Sequence, residues 1–277
     1  MLLNFETLFI LALTFLFRFM FLFFFLCIGV IVIFRILFNA AKRKPPEPIS
    51  VQNISTEFLE KEVLFYSSLS VIQKEEFRHE MARFLNRVHI TGIETEITIE
   101  DRMMVSASAV IPIFHFPGWE DYQLDEVLIY PNSINIDFET NSHDSYILGM
   151  VGTGKMEGKM ALSRKALLDG FNNKTDKRNT AIHEFIHLVD KADGVIDGIP
   201  NILMDNSYSL PWIRLIRHNI EEIKRHHSDI HEYGATNLSE FFAVAGEYFF
   251  ERPDLLKIKH PELYALMKEM FTGKNLE

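Results

Sequence analysis

Cysteine is almost missing from this 277-residue chain: the single thiol, Cys27, rules out an intramolecular disulfide, so nothing covalent braces the fold. Such sparing use of cysteine suits a reducing compartment. Basic charge is scarce as well. Lys and Arg number 28 against 38 Asp and Glu, a formal charge of -10, and since residues 1–50 hold five basic and two acidic side chains, the remainder carries about -13. A surface so acidic has no basic patch with which to neutralise phosphates, which excludes nucleic acid as the main partner. The first 17 residues contain no Lys or Arg, and no small-residue cleavage site follows the apolar run, so a cleaved secretory signal does not fit.

What is abundant is apolar. Leu8 to Phe38 is almost wholly so, and the stretch Phe19 to Phe34 contains no charge, with Arg18 and Arg35 at its two ends. A helix needs ~20 apolar residues to cross a bilayer, and this run, ~46 Å long as a helix, is too short to cross twice, so a single transmembrane anchor is expected. Arg35, Lys42, Arg43 and Lys44 flank its far end, a bias that places the following domain in the cytoplasm. Pro45-Pro46-Glu47-Pro48 then stiffens a linker. The expected organisation is an anchor with its basic flank over 1–44, a Pro-rich linker over 45–54, and one domain over 55–277.

In that domain, Ser55 opens a short helical stretch ending around Ser67 to Ser70, and Phe77, Met81, Phe84, Leu85 and Val88 give Ile72 to Val88 helical spacing. Arg102 to Val110 is a buried helix stopped by Pro112. Glu126 to Pro131 and Ile134 to Phe138 have strand composition, and Met160 to Leu162 is a candidate edge strand lying along a peptide substrate. Ser163 caps a helix running to Gly170. Gly149 to Lys155 satisfies the first seven positions of a phosphate-binding loop, but Met156 stands where that loop needs Ser or Thr. Gly152, Gly154 and Gly158 read instead as a turn between strands.

Chemistry concentrates at Asn179 to Asp190, where His183-Glu184-Phe185-Ile186-His187 sits in an apolar run. Residues four apart lie one turn above each other, so the two imidazoles can aim at one point. Catalytic zinc takes three protein ligands and leaves a position to water, whose proton Glu184 could take. Three carboxylates compete for the third place. Asp193 follows six residues after His187, but Asp190 stands where sites of that type need glycine. Glu240 and Glu247 share one face of an apolar helix over Leu238 to Phe250, and Glu240 also fits a capping arrangement with Asn237. Asp190 reads as a partner orienting an imidazole or as a solvating group at the helix end, and His226, His227 and His231 as a solvated face.

His183 to Asp190, Asp193 to Gly198, Tyr233-Gly234-Ala235-Thr236-Asn237, Glu240 to Val244 and Tyr248-Phe249-Phe250 together resemble the Mlc titration factor A family of zinc peptidases over roughly residues 55 to 260. The resemblance implies an α+β, zincin-like domain of gluzincin type, mostly helical with a small sheet and here preceded by one transmembrane helix. It also implies His183, His187 and Glu240 as zinc ligands, Glu184 as general base and Tyr233 as donor to an oxyanion. The implied activity is hydrolysis of a peptide or protein substrate. A regulatory protein partner, a sugar-transport repressor, is implied too. The anchor is where the chain departs from that family's soluble members. The competing expectation is a membrane-tethered regulatory or binding module that keeps the zinc site without significant proteolysis.

Overall fold

A computed structural model describes residues 48–116, 119, 122–135, 147–152, 156–173, 176–204 and 209–273, with scattered positions between Arg18 and Arg35. The chain divides into two compact units, Met1–Pro48 and Ile49–Glu277. In the first, the described residues from Arg18 to Arg35 are helical, and their apolar side chains, Phe21, Leu22, Phe25, Leu26 and Phe34 among them, are exposed. Most of the expected span from Leu8 to Phe38 lies outside the described residues, and among those described no helix is long and apolar enough to cross a membrane.

The second unit runs α1 (Thr56–Glu62), α2 (Leu64–Ser68), α3 (Val71–Arg87), β1 (His89–Gly92), α4 (Ile99–Val110), β2 (Glu126–Tyr130), β3 (Gly149–Val151) and β4 (Lys159–Ser163). It continues with α5 (Arg164–Asn172), α6 (Thr180–Asp190), α7 (Ser209–Lys224), α8 (Leu238–Glu251), α9 (Pro253–Lys259) and α10 (Pro261–Thr272). Capping chemistry sets several starts. Ser70 and Gln73 form a reciprocal capping box at α3, and Thr98 with Asp101 does the same for α4, which therefore begins three residues before the expected Arg102. Asp101, fully buried, also takes Arg164 Nε at 3.0 Å and so fastens α4 to the start of α5.

The sheet has the order β1-β2-β4-β3, parallel except for β3, which pairs antiparallel with β4. This corrects the edge-strand expectation: Met160 to Leu162 lies inside the sheet, and its burial follows from partners on both sides. The edge on that side is β3, too short for composition to signal. Of the other strand expected at Ile134 to Phe138, Ile134 makes one antiparallel bridge to Ile147, and the positions beyond Asn135 lie outside the described residues. Gly152 and Gly158 do belong to the connection between antiparallel strands, Gly158 with φ +72.

The core gathers around α6 and α8, which cross closely because of Gly246. A Cβ there would stand 2.2 Å from Ile186 Cδ1. On its far side α8 stacks Phe242 and Phe249 against Phe271 of α10, with ring centroids 5.9 and 5.6 Å apart. Each phenylalanine buried this way stabilises by about 2 kcal/mol, enough for the pair to hold α8 as a fixed platform.

Candidate metal centre

Helix α6 is enclosed on every side, and Ala181 to Asp190 are all buried. Asn179 caps it, its Oδ1 accepting Ile182 N–H at 3.2 Å. His183 and His187 emerge one turn apart, each 8 % exposed, so two polar rings sit in a nearly water-free place and need partners. Helix α8 provides one. Asn237 caps α8 by accepting the Glu240 N–H at 2.9 Å, which leaves the Glu240 carboxylate free to reach the histidines.

The three donor atoms form a nearly equilateral triangle: His183 Nε2 to His187 Nε2 3.1 Å, His183 Nε2 to Glu240 Oε2 3.1 Å, His187 Nε2 to Glu240 Oε2 3.4 Å. Ligands about 2.0–2.1 Å from a tetrahedral ion lie about 3.3 Å from one another, so this spacing suits a metal of zinc's size. Two imidazole nitrogens facing each other are otherwise poor neighbours. Among the described residues this is the group of His, Cys, Asp and Glu whose donor atoms converge to hold a metal.

Burial works against a charged His183, yet the Glu247 carboxylate, then Glu240, raise its imidazole to about 10. Glu240, despite a burial cost, is held well below the usual carboxylate range by hydrogen bonds to His183 and His187. Glu184, 6 % exposed, goes the other way: burial raises its carboxyl above the ordinary value, opposed by the two histidines. Gly149 of the edge strand packs directly on it, and a Cβ there would lie 2.7 Å from Glu184 Oε1.

Tyr233 sits on a 3-10 turn, Glu232–Ala235, packed against α8. Its ring centroid is 6.0 Å from that of His183, and the residue is half exposed. Burial, then the Glu240 and Glu184 carboxylates, raise its phenol. His231, expected on a solvated face, instead caps this turn: its Nδ1 accepts Tyr233 N–H at 3.2 Å. His226 and His227 are indeed exposed.

The other carboxylates fall elsewhere. Asp193 accepts Val195 N–H at 3.1 Å and Asn201 Nδ2 at 2.6 Å, closing a surface loop. Glu247 lies against His183 Nδ1 rather than in the triangle, at 2.6 Å. Asp190 is fully buried and accepts Gly198 N–H at 2.7 Å, but its Oδ1, like His187 Nδ1, has no partner among the described residues, so the expected contact between the two is not made. Burial, with the nearby Asp197 charge, carries its carboxyl up to about 7 against the pull of the Gly198 N–H.

Two histidines and a carboxylate from a second helix, beside a buried glutamate, make a group that could hold a metal ion on a helical domain with a small mixed sheet. The model of the glucose-regulated metallo-peptidase M90 family matches residues 39–272, and the chain belongs to that family. It is similar to an uncharacterised protein of Synechocystis sp., 26 % identical over 75 % of this chain and 79 % of the relative. It is also similar to the Mlc titration factor A of Pectobacterium atrosepticum, 26 % identical over 53 % of this chain and 58 % of the relative. The same-named protein of Klebsiella pneumoniae is 25 % identical over 71 % and 77 % respectively.

Proposed function

We propose that this chain is a zinc-dependent peptidase whose ligands are His183, His187 and Glu240. The observation that carries the reading is the triangle of donor atoms, 3.1 to 3.4 Å on a side, with buried Glu184 beside it. A zinc ion held there would supply an acidified water and a polarised substrate carbonyl. The rest falls to the chain's own residues. Glu184, its carboxyl raised by burial, takes a proton at its carboxylate and returns it to the leaving nitrogen. The Tyr233 hydroxyl donates to the substrate oxygen as that atom gains negative charge, a contact worth a few kcal/mol in comparable sites. An extended substrate pairs with the outer side of β3, which among the described residues has no strand beside it, and this brings its backbone past Gly149 and onto Glu184.

The exposed apolar side chains between Met20 and Phe34 support an N-terminal membrane contact, with the peptidase domain on the cytoplasmic side of a single span. The test is Glu184→Gln in the full-length chain: zinc stays bound, and cleavage of peptide reporters falls at least ~100-fold. Unchanged turnover would refute the general-base role. The second reading is a membrane-tethered regulatory protein, favoured by the name that two of the relatives carry, Mlc titration factor A. It requires zinc binding without metal-dependent cleavage of any reporter, and a protein partner whose binding Glu184→Gln leaves intact.

A further inference from the structure

Two turns beyond Glu240 on α8, Glu247 is 7 % exposed and both of its oxygens are taken. Oε1 lies 2.6 Å from His183 Nδ1, and Oε2 accepts the backbone N–H of Asn179 at 2.7 Å. An ionised carboxylate only accepts, so the ring nitrogen facing it carries a proton, and Nε2, which points into the donor triangle, is the nitrogen left with a lone pair when the imidazole is neutral. Asn179 is also the cap of α6, and its Nδ2 donates to Glu251 Oε1 at 3.1 Å. One face of α8 therefore grips both the first ligand and the start of the helix that carries it.

We propose that Glu247 is a positioning residue of the metal centre: it fixes His183 with the proton on Nδ1, aims Nε2 at the ion, and ties that ring to the first turn of α6. The inference rests on His183, His187 and Glu240 being metal ligands. It needs a carboxylate and not merely a polar side chain, because both incoming groups are donors. Glu247→Gln sets its NH2 against one of them whichever way the amide turns.

The test uses the full-length chain in detergent, with zinc affinity measured by competition against a fluorescent chelator. Glu247→Gln is expected to weaken zinc binding 10- to 100-fold, roughly the loss seen when such outer partners are removed. Glu247→Asp, which keeps the charge one methylene further back, falls between variant and wild type. A purely structural role would lower the melting temperature and leave zinc affinity unchanged in the folded fraction, and that result overturns the inference alone. Failure of wild type itself to bind zinc removes the metal-site reading and this inference with it. Should Glu247→Gln not fold, nitrogen-15 NMR of the zinc-loaded wild type decides: a slowly exchanging proton on His183 Nδ1 supports the assignment, and a metal-bound Nδ1 overturns it.

Discussion

The two ends of α6 carry one histidine each and treat them differently. At the start, each polar group near His183 is answered: Asn179 caps the helix, Glu247 takes the Asn179 N–H and His183 Nδ1, and Glu251 takes the cap's amide. Just upstream, Lys177 meets Asp229 at 3.2 Å, and the same carboxylate accepts Tyr248 OH at 2.9 Å, so the approach to the helix is pinned to the residue that follows Glu247. At the other end, His187 Nδ1 and Asp190 Oδ1 are buried without partners among the described residues, and the fastening is the N–H of Gly198 on Asp190. Buried polar atoms left unpaired cost about 1–3 kcal/mol each. The difference teaches that the fold fixes the His183 ring through both nitrogens and the His187 ring through one.

That contrast predicts unequal costs for two substitutions that both abolish the metal site. In metal-free protein, His183→Ala strips Glu247 of its partner and leaves a buried charge uncompensated, a loss of about 3–5 kcal/mol. His187→Ala removes a ring whose Nδ1 was unpartnered and whose Nε2 shares Glu240 with His183, so its cost is lost packing and one shared contact, nearer 2 kcal/mol. Urea titration of the two metal-free variants checks this, and equal midpoints with equal slopes would break the comparison.

The weaker end can be probed at Gly198. With φ +78 this residue occupies the left-handed region, and an added Cβ would stand 2.4 Å from the carbonyl oxygen of Leu238 at the start of α8. Its own carbonyl accepts Trp212 Nε1 at 2.7 Å, so the end of α6, α7 and the start of α8 meet on this one residue. Gly198→Ala should cost about 2 kcal/mol of stability and shift the Glu240 backbone, lowering zinc affinity as well. A variant with wild-type zinc affinity would show that α8 is positioned without this junction.

Much of the centre was legible because its signals are short-range. His183, Glu184 and His187 lie on one helical turn, and the apolar run around them announces a buried helix. Residue spacing alone could not rank Glu240 above Glu247, since both occupy one face of α8. What separates them is the reach of α8 past α6, a tertiary fact set by Gly246 against Ile186. The capping pattern at Asn237 was a true signal with a different consequence: Asn237 caps, and Glu240 is released to the histidines. The edge strand was misplaced because Met160 to Leu162 has the composition of any strand, whereas edge or interior depends on having two pairing partners, one of them, β2, more than thirty residues away. Likewise Gly149 carries no local sign that it must leave room for Glu184.

The smallest effect expected is at Asp190, where the two ends differ in charge. Its carboxyl is ordinary near 3.8 in the unfolded chain and raised to about 7 in the fold, so its contribution is fully present below pH ~4 and is lost as pH rises through 7. His183 is raised as well, but from 6.5 to about 10, so its contribution changes only above pH ~6.5. Between pH 4 and 6.5 the decline of metal-free stability is therefore shared by Asp190 and Glu184, whose carboxyl burial also raises, and the Asp190 part is the one a substitution there removes. Asp190→Asn keeps an acceptor for the Gly198 N–H and cannot ionise, so its stability should fall less over that window. Relaxation around a buried charge dilutes the full displacement, which leaves a gain on the order of 1 kcal/mol over wild type by pH 7. Denaturant midpoints at pH 4.5 and 6.5 test it: parallel slopes for the two proteins would mean that Asp190 is already ionised and stabilised in the fold, and the two ends of α6 would then be more alike than their hydrogen bonds imply.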